Sequence, residues 1–198
     1  RNVLKVCALA GSAAALSACG GKQSTGGNTE ATATDYKDTL IWAQGADVTS
    51  FDPHQGKETP AVEVTCQIFD TLVTVDAETN EIVPQIAESW EQTDEQTYVF
   101  KIRQGIKFHD GSDLTAEDVK FTWEYSSDTA NDGVNWVITG ASLIDTIEVP
   151  DAYTVIFNMK SSTPDWLFYA AQKIISKSAV EARGGEMGGR IGTGPYVH

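Results

Sequence analysis

The sequence predicts an α/β fold in which strands and helices follow one another along the chain. Tyr98, Phe100 and Ile102 alternate with their neighbours at the period of two that is typical of a half-buried strand. Apolar side chains recur at helical spacing between residues 61 and 72. Two further strand patterns, at residues 145–149 and 153–159, are close enough to form a hairpin.

The first elements predicted are a short buried strand over residues 40–43, a turn at residues 50–53 and a helix. Thr59 is expected to cap this helix, with Pro60 at the first helical position, where proline is favoured. The apolar face of the helix consists of Ala61, Val64, Thr65, Ile68, Phe69 and Leu72. Cys66 lies just beside that face, which predicts a buried or half-buried small side chain rather than a reactive thiol.

A helix is predicted after the strand at residues 98–103, a shorter strand at residues 106–108 and the turn Asp110-Gly111. Thr115 is its expected N-cap, and the carboxylates of Glu117 and Asp118 favour the positive end of the helix. His109, beside Asp110, could suggest a general base. No nucleophile or second base stands at a recognisable spacing, so catalysis is not predicted there.

The C-terminal part is predicted to contain a hairpin that turns at residues 150–152, a helix over residues 163–171 and a short final helix. Val155, Phe157 and Met159 share one face of the second hairpin strand. Ser178 and Glu181 are expected to form a capping box for the final helix, which stops at Gly184-Gly185. Two glycines at residues 192 and 194 are expected to permit a tight path with positive φ.

The composition limits the classes of function. The 198 residues carry a net charge of −14, with a sequence pI of about 4.4. No basic stripe is available to neutralise phosphates, so nucleic-acid binding is not expected. The acidity fits a secreted domain, and a weak preference for cationic ligands is the alternative interpretation. The histidines at 54, 109 and 198 are far apart in sequence and are expected at the surface or in caps rather than as metal ligands.

The first 18 residues are typical of a targeting segment. Arg1 and Lys5 precede the apolar stretch 6–16, which is too short to cross a bilayer as a stable helix. A tract rich in glycine, serine and threonine follows from residue 20 to about residue 38 and predicts a flexible tether. Of the three cysteines, only Cys66 lies in the folded part, so no disulfide is expected within it.

Several motifs carry a resemblance to one family. They are Val83-Pro84-Gln85-Ile86-Ala87-Glu88-Ser89-Trp90, the run from Tyr98 to Gly111 with Leu114-Thr115-Ala116-Glu117-Asp118-Val119 after it, and Ile191-Gly192-Thr193-Gly194-Pro195-Tyr196. This pattern resembles the family 5 extracellular solute-binding proteins, the ligand-capturing components of ABC importers for peptides, nickel chelates and some sugars. The resemblance covers essentially all of residues 39–198.

The resemblance implies a two-lobed fold of the large peptide-binding type, with a mixed sheet, flanking helices and a ligand enclosed between the lobes. Family members are more than twice as long, so we expect residues 39–198 to be the N-terminal part of the solute-binding domain: the first strand of the main lobe, a small subdomain and a return turn. The second lobe is expected to be absent.

Leu16-Ser17-Ala18-Cys19 resembles a bacterial lipobox. The resemblance implies cleavage before Cys19 and a diacylglycerol on its thiol, with residues 1–18 as a lipoprotein signal peptide and residues 19–38 as the lipidated tether. The protein is then expected at the cell membrane on its extracytoplasmic side, held by the lipid. An ordinary signal peptide is the alternative.

The ligand contacts that the resemblance implies are few. Gln44, Gly45, Ala46 and Asp47 follow the first strand, where family loops approach the ligand. Trp136 resembles an aromatic residue used in the nickel-chelate branch, with a packing or surface tryptophan as the alternative. Lys173 could pair with a ligand carboxylate, or could be a solvated surface lysine.

The function expected from these residues is capture of oligopeptides or dipeptides for delivery to permease subunits in the membrane. A receptor for a nickel or other metal chelate or for an oligosaccharide is the alternative on the same fold. A sensor or adhesin lipoprotein is a further alternative outside transport. No cofactor and no metal are expected, and the absence of a nucleophile with its base argues against an enzyme.

Overall fold

The computed structural model describes residues 43–55, 58–128, 140–184 and 190–197. The strand predicted at residues 40–43 therefore lies almost wholly outside the described residues. The described helices are α1 (Thr59–Ile68), α2 (Ala116–Ser127), α3 (Trp166–Tyr169) and α4 (Lys177–Arg183). The described strands are β1 (Val73–Val75), β2 (Ile82–Pro84), β3 (Ala87–Asp94), β4 (Thr97–Ile102), β5 (Ile144–Asp151) and β6 (Thr154–Met159).

The main sheet has four antiparallel strands in the order β3-β4-β6-β5, and β1 pairs with β2 in a second, two-stranded sheet. The predicted hairpin is confirmed, since β5 and β6 pair with Asp151 opposite Thr154. The short strand predicted at residues 106–108 is reduced to one bridge between Lys107 and Asp113. Both sheets within the described ranges are antiparallel.

The core lies against the face of the sheet that the alternation predicts. Tyr98, Phe100 and Ile102 on β4 are buried, as are Val155, Phe157 and Met159 on β6. Trp166 enters this layer from α3, with its ring 4.6 Å from Phe157 and 5.1 Å from Tyr98 between centroids. Close-packed rings at these separations are stabilising beyond the area they bury. The aromatic layer therefore fixes α3 on the sheet.

Helix α2 begins where the sequence predicts. The Asp118 carboxylate accepts hydrogen bonds from the Thr115 backbone N–H at 2.9 Å and from its hydroxyl at 3.0 Å. This is a capping box with aspartate in the third helical position. The other carboxylate oxygen of Asp118 accepts the Lys177 backbone N–H at 3.0 Å, so the same side chain joins the starts of α2 and α4.

Replacing the cap should weaken this helix start. Thr115→Ala removes the hydroxyl donor and is expected to lower the free energy of unfolding by about 1 kcal/mol. Ser127→Ala is the matched control, since its exposed hydroxyl bonds only the Glu124 carbonyl one turn back. Urea denaturation of the two variants measures the difference. Equal midpoints would show that the backbone N–H of residue 115 alone sustains the cap.

Two predicted helix starts are wrong by one or two residues. The Glu58 carbonyl accepts the Val62 N–H at 3.0 Å, so α1 closes its first turn from residue 58 and Thr59 lies inside the helix. Ser176, rather than Ser178, caps α4, because its hydroxyl oxygen accepts the Ala179 N–H at 3.2 Å. The predicted stop at Gly184 is confirmed, with φ 83°.

The burial predicted for Cys66 is also wrong, because its side chain is exposed. Ala61, Thr65 and Ile68 are the buried positions of α1. Residue 66 lies about 100° around the helix from Thr65, which turns the thiol away from the core.

Candidate ligand-binding site

Segment 191–196 lies directly against the end of α1. The Gly194 N–H donates to the Ile68 carbonyl at 2.8 Å, and the Tyr196 N–H donates to the Gln67 carbonyl at 3.2 Å. A Cβ on Gly192 would lie 2.1 Å from the Ile68 carbonyl oxygen, and one on Gly194 would lie 2.7 Å from the Gln67 oxygen. The expectation of positive φ at these glycines is wrong. Close backbone approach is the reason that a side chain is excluded.

His109 helps to hold this segment in place. Its backbone N–H donates to the Gly192 carbonyl at 3.0 Å, and its Nε2 lies 2.8 Å from the Gly194 carbonyl oxygen. The second bond requires a proton on Nε2, so this nitrogen is a donor and not a base. Both hydrogen bonds therefore give His109 a structural role, which is to hold segment 191–196 in place.

The loop of predicted contacts at residues 44–47 lies beside the first turn of α1. Gln44 Nε2 donates to the Pro60 carbonyl at 3.1 Å and to a Glu63 carboxylate oxygen at 3.3 Å. The side chains of Ala46 and Asp47 are exposed, and no atom lies within 4 Å of a Cβ built on Gly45. One residue of the loop is therefore tied to the helix, and three face open space.

The turn after this loop lies two residues later than predicted, at residues 52–55, and is organised by Asp52. One carboxylate oxygen of Asp52 accepts the His54 N–H at 2.8 Å, and the Asp52 carbonyl accepts the Gln55 N–H at 3.1 Å. The other carboxylate oxygen accepts the Tyr125 hydroxyl at 2.8 Å. Asp52 is fully buried, so these bonds fix the turn to α2.

Tyr125 and His54 are both shifted in the direction that keeps them neutral. Burial, and then the nearby Asp52 carboxylate, raise the pKa of the Tyr125 hydroxyl well above its usual value. Burial lowers the pKa of His54 from 6.5 to about 3, an effect that the nearby Lys173 backbone partly offsets. The expectation of a surface or capped histidine is wrong for His54, because the turn carries its ring between α2 and residues 172–173.

Lys173 lies at the other side of the same region. Its backbone forms a bridge with Thr71, and its Nζ donates to Thr65 Oγ1 at 2.8 Å. Burial lowers the pKa of its ammonium group, and the adjacent Cys66 thiol acts in the opposite direction. The side chain is half-buried rather than freely solvated. An ammonium has three N–H donors, so the bonds to Thr65 and to the Cys66 side chain leave one for another group.

We call the set Asp52, His54, Tyr125, Gln172 and Lys173 the polar junction. It joins the turn after the Gln44 loop to α2 and to the segment that carries Lys173. Trp136, His198 and Cys19 lie outside the described residues. Within the described ranges, no group of three or more histidine, cysteine, aspartate or glutamate side chains could hold a metal ion. In the same ranges no helix has the length and apolar character needed to span a membrane.

Sequence reasoning missed most of the polar junction. Gln172 and His54 are 118 positions apart, and no local periodicity relates them. Thr65 had one usable signal, since it is a hydroxyl in the middle of an otherwise apolar helix face. That hydroxyl donates to the Ala61 carbonyl at 2.8 Å and accepts from Lys173.

The chain is similar to binding proteins of known name. It is 34% identical over 132 residues to the periplasmic oligopeptide-binding protein OppA of Haemophilus influenzae, a match that covers 66% of this chain and 23% of that protein. It is 33% identical over 165 residues to the glutathione-binding protein GsiB of Shigella boydii, covering 81% of this chain and 31% of that one. The chain thus spans less than a third of the length of either relative. Neither relative is named as an enzyme, in agreement with the expectation from sequence.

Solved structures show the same fold. H. influenzae OppA in complex with RPPGFSPFR aligns with a TM-score of 0.70 and 26% identity, over 77% of this chain and 34% of that one. DppA of Helicobacter pylori with the peptide STSA gives 0.68 and 28%, over 77% and 35% of the two chains. MoaA of A. tumefaciens R10 with mannopinic acid gives 0.67 and 29%, over 76% and 32%.

These neighbours define the class as the two-lobed periplasmic binding proteins, of which this chain contains the N-terminal part. The family model for bacterial extracellular solute-binding proteins, family 5 (middle), matches residues 81–198. The chain belongs to the family 5 solute-binding proteins, as its motifs indicate.

Proposed function

We propose that the chain is part of a substrate-binding lipoprotein of an ABC importer that captures oligopeptides or dipeptides and delivers them to a membrane permease. The observation that carries this proposal is the similarity, at 26–34% identity, to relatives named for or solved with peptides. Solute would bind between two lobes, and closure of the lobes would create the form that docks to the permease. Residues 39–198 would supply the first strand, the small subdomain and the return turn.

The polar junction supports a peptide as the solute. Peptide sites hold the ligand backbone by hydrogen bonds and pair its charged termini with opposite charges. Lys173 is half-buried and fixed by Thr65 and Cys66, and its third N–H donor suits it to a ligand carboxylate. The backbone groups of the exposed residues Gly45, Ala46 and Asp47 would be available to bond the ligand backbone, and Trp136 would add an aromatic contact to the ligand.

The lipid anchor is a separate part of the proposal. Cys19 stands at the position of the lipidated cysteine in the lipobox, and the tract to residue 38 would let the domain reach the permease from the outer surface of the membrane. Acyl chains add roughly 0.8 kcal/mol for each buried CH₂, so two or three chains give durable anchoring.

Native mass spectrometry of the intact protein, purified from cells without added ligand, tests both parts. A ladder of short peptides bound to the protein is the expected result, together with a mass that includes a diacylglyceryl group on Cys19. A bound chelate or sugar would contradict peptide capture and support a receptor for a chelate or an oligosaccharide. The similarity to the mannopinic acid complex favours this alternative. No retained solute, and no thermal shift with peptides, chelates or sugars, would favour a sensor or adhesin.

A further inference from the structure

His54 and Gln172 form a buried contact between two segments of the proposed site. Gln172 Nε2 lies 3.3 Å from His54 Nδ1, and the two residues are 9% and 1% exposed. Gln172 directly precedes Lys173 in the chain. A displacement of the Gln172 backbone would therefore also displace the residue that is proposed to meet the ligand.

The other side of the histidine is fixed more firmly. The backbone N–H of His54 donates to the Asp52 carboxylate, and the imidazole ring meets the Tyr125 ring edge-on at 6.0 Å between centroids. Tyr125 in turn is bonded to Asp52 at 2.8 Å. The imidazole is thus held against α2, and its Nδ1 contact with Gln172 fixes the segment that carries Lys173 relative to this helix.

The two nitrogens of the His54 ring differ in their surroundings, since Nδ1 meets Gln172 and Nε2 does not. His54 Nε2 is buried and has no hydrogen-bond partner among the described groups. A buried polar atom without a partner destabilises a fold, and an apolar side chain of similar shape would avoid that penalty. The contact between Nδ1 and Gln172 is therefore what histidine supplies at this position and an apolar side chain would not.

We propose that His54 is a positioning residue that acts through Gln172 to hold Lys173 in place for a ligand carboxylate. The inference rests on the proposed function, in which Lys173 meets the solute. A buried side chain that does not contact the ligand would then contribute to the affinity of the site.

Chemical labelling of lysine amines in the intact protein tests the positioning without any ligand. His54→Leu removes the acceptor at Nδ1, whereas His54→Asn retains a polar group near that position. We expect acetylation of Lys173 by acetic anhydride, measured by mass spectrometry, to be about fivefold faster in His54→Leu. A fivefold change is what the loss of one ordinary buried hydrogen bond produces in an equilibrium. His54→Asn should label at the wild-type rate.

Lys177 is the internal control, since it lies at the start of α4 outside the polar junction. An unchanged Lys173 rate in His54→Leu, or a failure of His54→Asn to restore it, would overturn the proposal. If His54→Leu does not fold, Gln172→Leu makes the same test from the other partner, and it should raise the Lys173 rate equally.

Peptide affinity separates this inference from the proposed function. In His54→Leu the Kd for a peptide with a free carboxyl terminus should rise about fivefold, with little change for its amidated form. Binding of neither peptide by the wild type would count against peptide capture, and the labelling rates would still decide the role of His54. Equal weakening for both peptides would argue against an effect through Lys173.

Discussion

Gly192→Ala is expected to lower the free energy of unfolding by about 3 kcal/mol or more, because the added methyl has no space. Its carbon would lie 2.1 Å from the Ile68 carbonyl oxygen and 2.8 Å from a ring carbon of Phe69. The obstructing oxygen is backbone at the end of α1 and accepts the Gly194 N–H, so it cannot move without loss of that bond. Guanidinium denaturation monitored by tryptophan fluorescence measures the change.

Gly45→Ala is the matched control for stability. Apart from the two adjacent residues, no described atom lies within 4 Å of the position that its new methyl carbon would occupy, and the backbone of Gly45 does not have positive φ. The same chemical change should therefore leave the stability within about 0.5 kcal/mol of wild type. Equal effects at the two glycines would show that segment 191–196 does not pack on α1 as described.

The glycine pair illustrates what the sequence could and could not predict. The motif was recognisable, and a requirement for glycine followed from it. Backbone freedom was the expected reason, whereas the structure gives steric exclusion by the end of α1, a helix more than a hundred positions earlier in the chain. A local pattern contains no information about which distant carbonyl will lie against it.

The elements with strong local signals were predicted well. Alternation placed β4 and β6 with their buried faces, and the Thr115–Asp118 pair placed the start of α2. Helix starts at Thr59 and Ser178 were missed by one or two residues, since several nearby side chains could serve as caps and only tertiary contacts select one.

The candidate site was predicted only in part. Gln44 and Lys173 both contact α1, and their partners Pro60 and Thr65 were not foreseen. Thr65 was assigned to an apolar face by its spacing alone. His54 was expected at the surface or in a cap, and its burial depends on Gln172 and Tyr125, which are remote in sequence.

Acidification from pH 6.5 to 4.5 is expected to destabilise the protein by about 2–3 kcal/mol through His54 alone. Burial lowers the pKa of this histidine from 6.5 to about 3 in the folded protein. Between these values the unfolded chain binds a proton that the folded protein excludes, so stability falls with pH by about 1.4 kcal/mol per unit. About one pH unit above 6.5 the histidine is neutral in both states, and the dependence ends.

The charged groups around His54 do not alter this sign. Burial has the largest effect on the pKa of His54, the Lys173 backbone offsets part of it, and the Lys173 ammonium acts in the same direction as burial. Four carboxylates have a pKa below the ordinary value of 3.8 and stabilise the fold when the pH is above 3.8. Their stabilising effect is lost as the pH falls below 3.8. They are Asp76, Asp94, Asp110 and Asp151. The interval from pH 6.5 to 4.5 therefore lies above the range in which these four carboxylates lose their stabilising effect.

His54→Leu supplies the comparison, because it removes the titrating group and leaves those carboxylates in place. Urea denaturation of both proteins at several pH values between 7 and 4.5 measures the free energy of unfolding. This free energy should fall with pH in the wild type and should fall less steeply in the variant. The difference between them should increase in favour of the variant with each step down. Parallel curves would mean that His54 can be protonated without disturbing the fold, and that the turn at Asp52 opens to solvent more readily than its burial indicates.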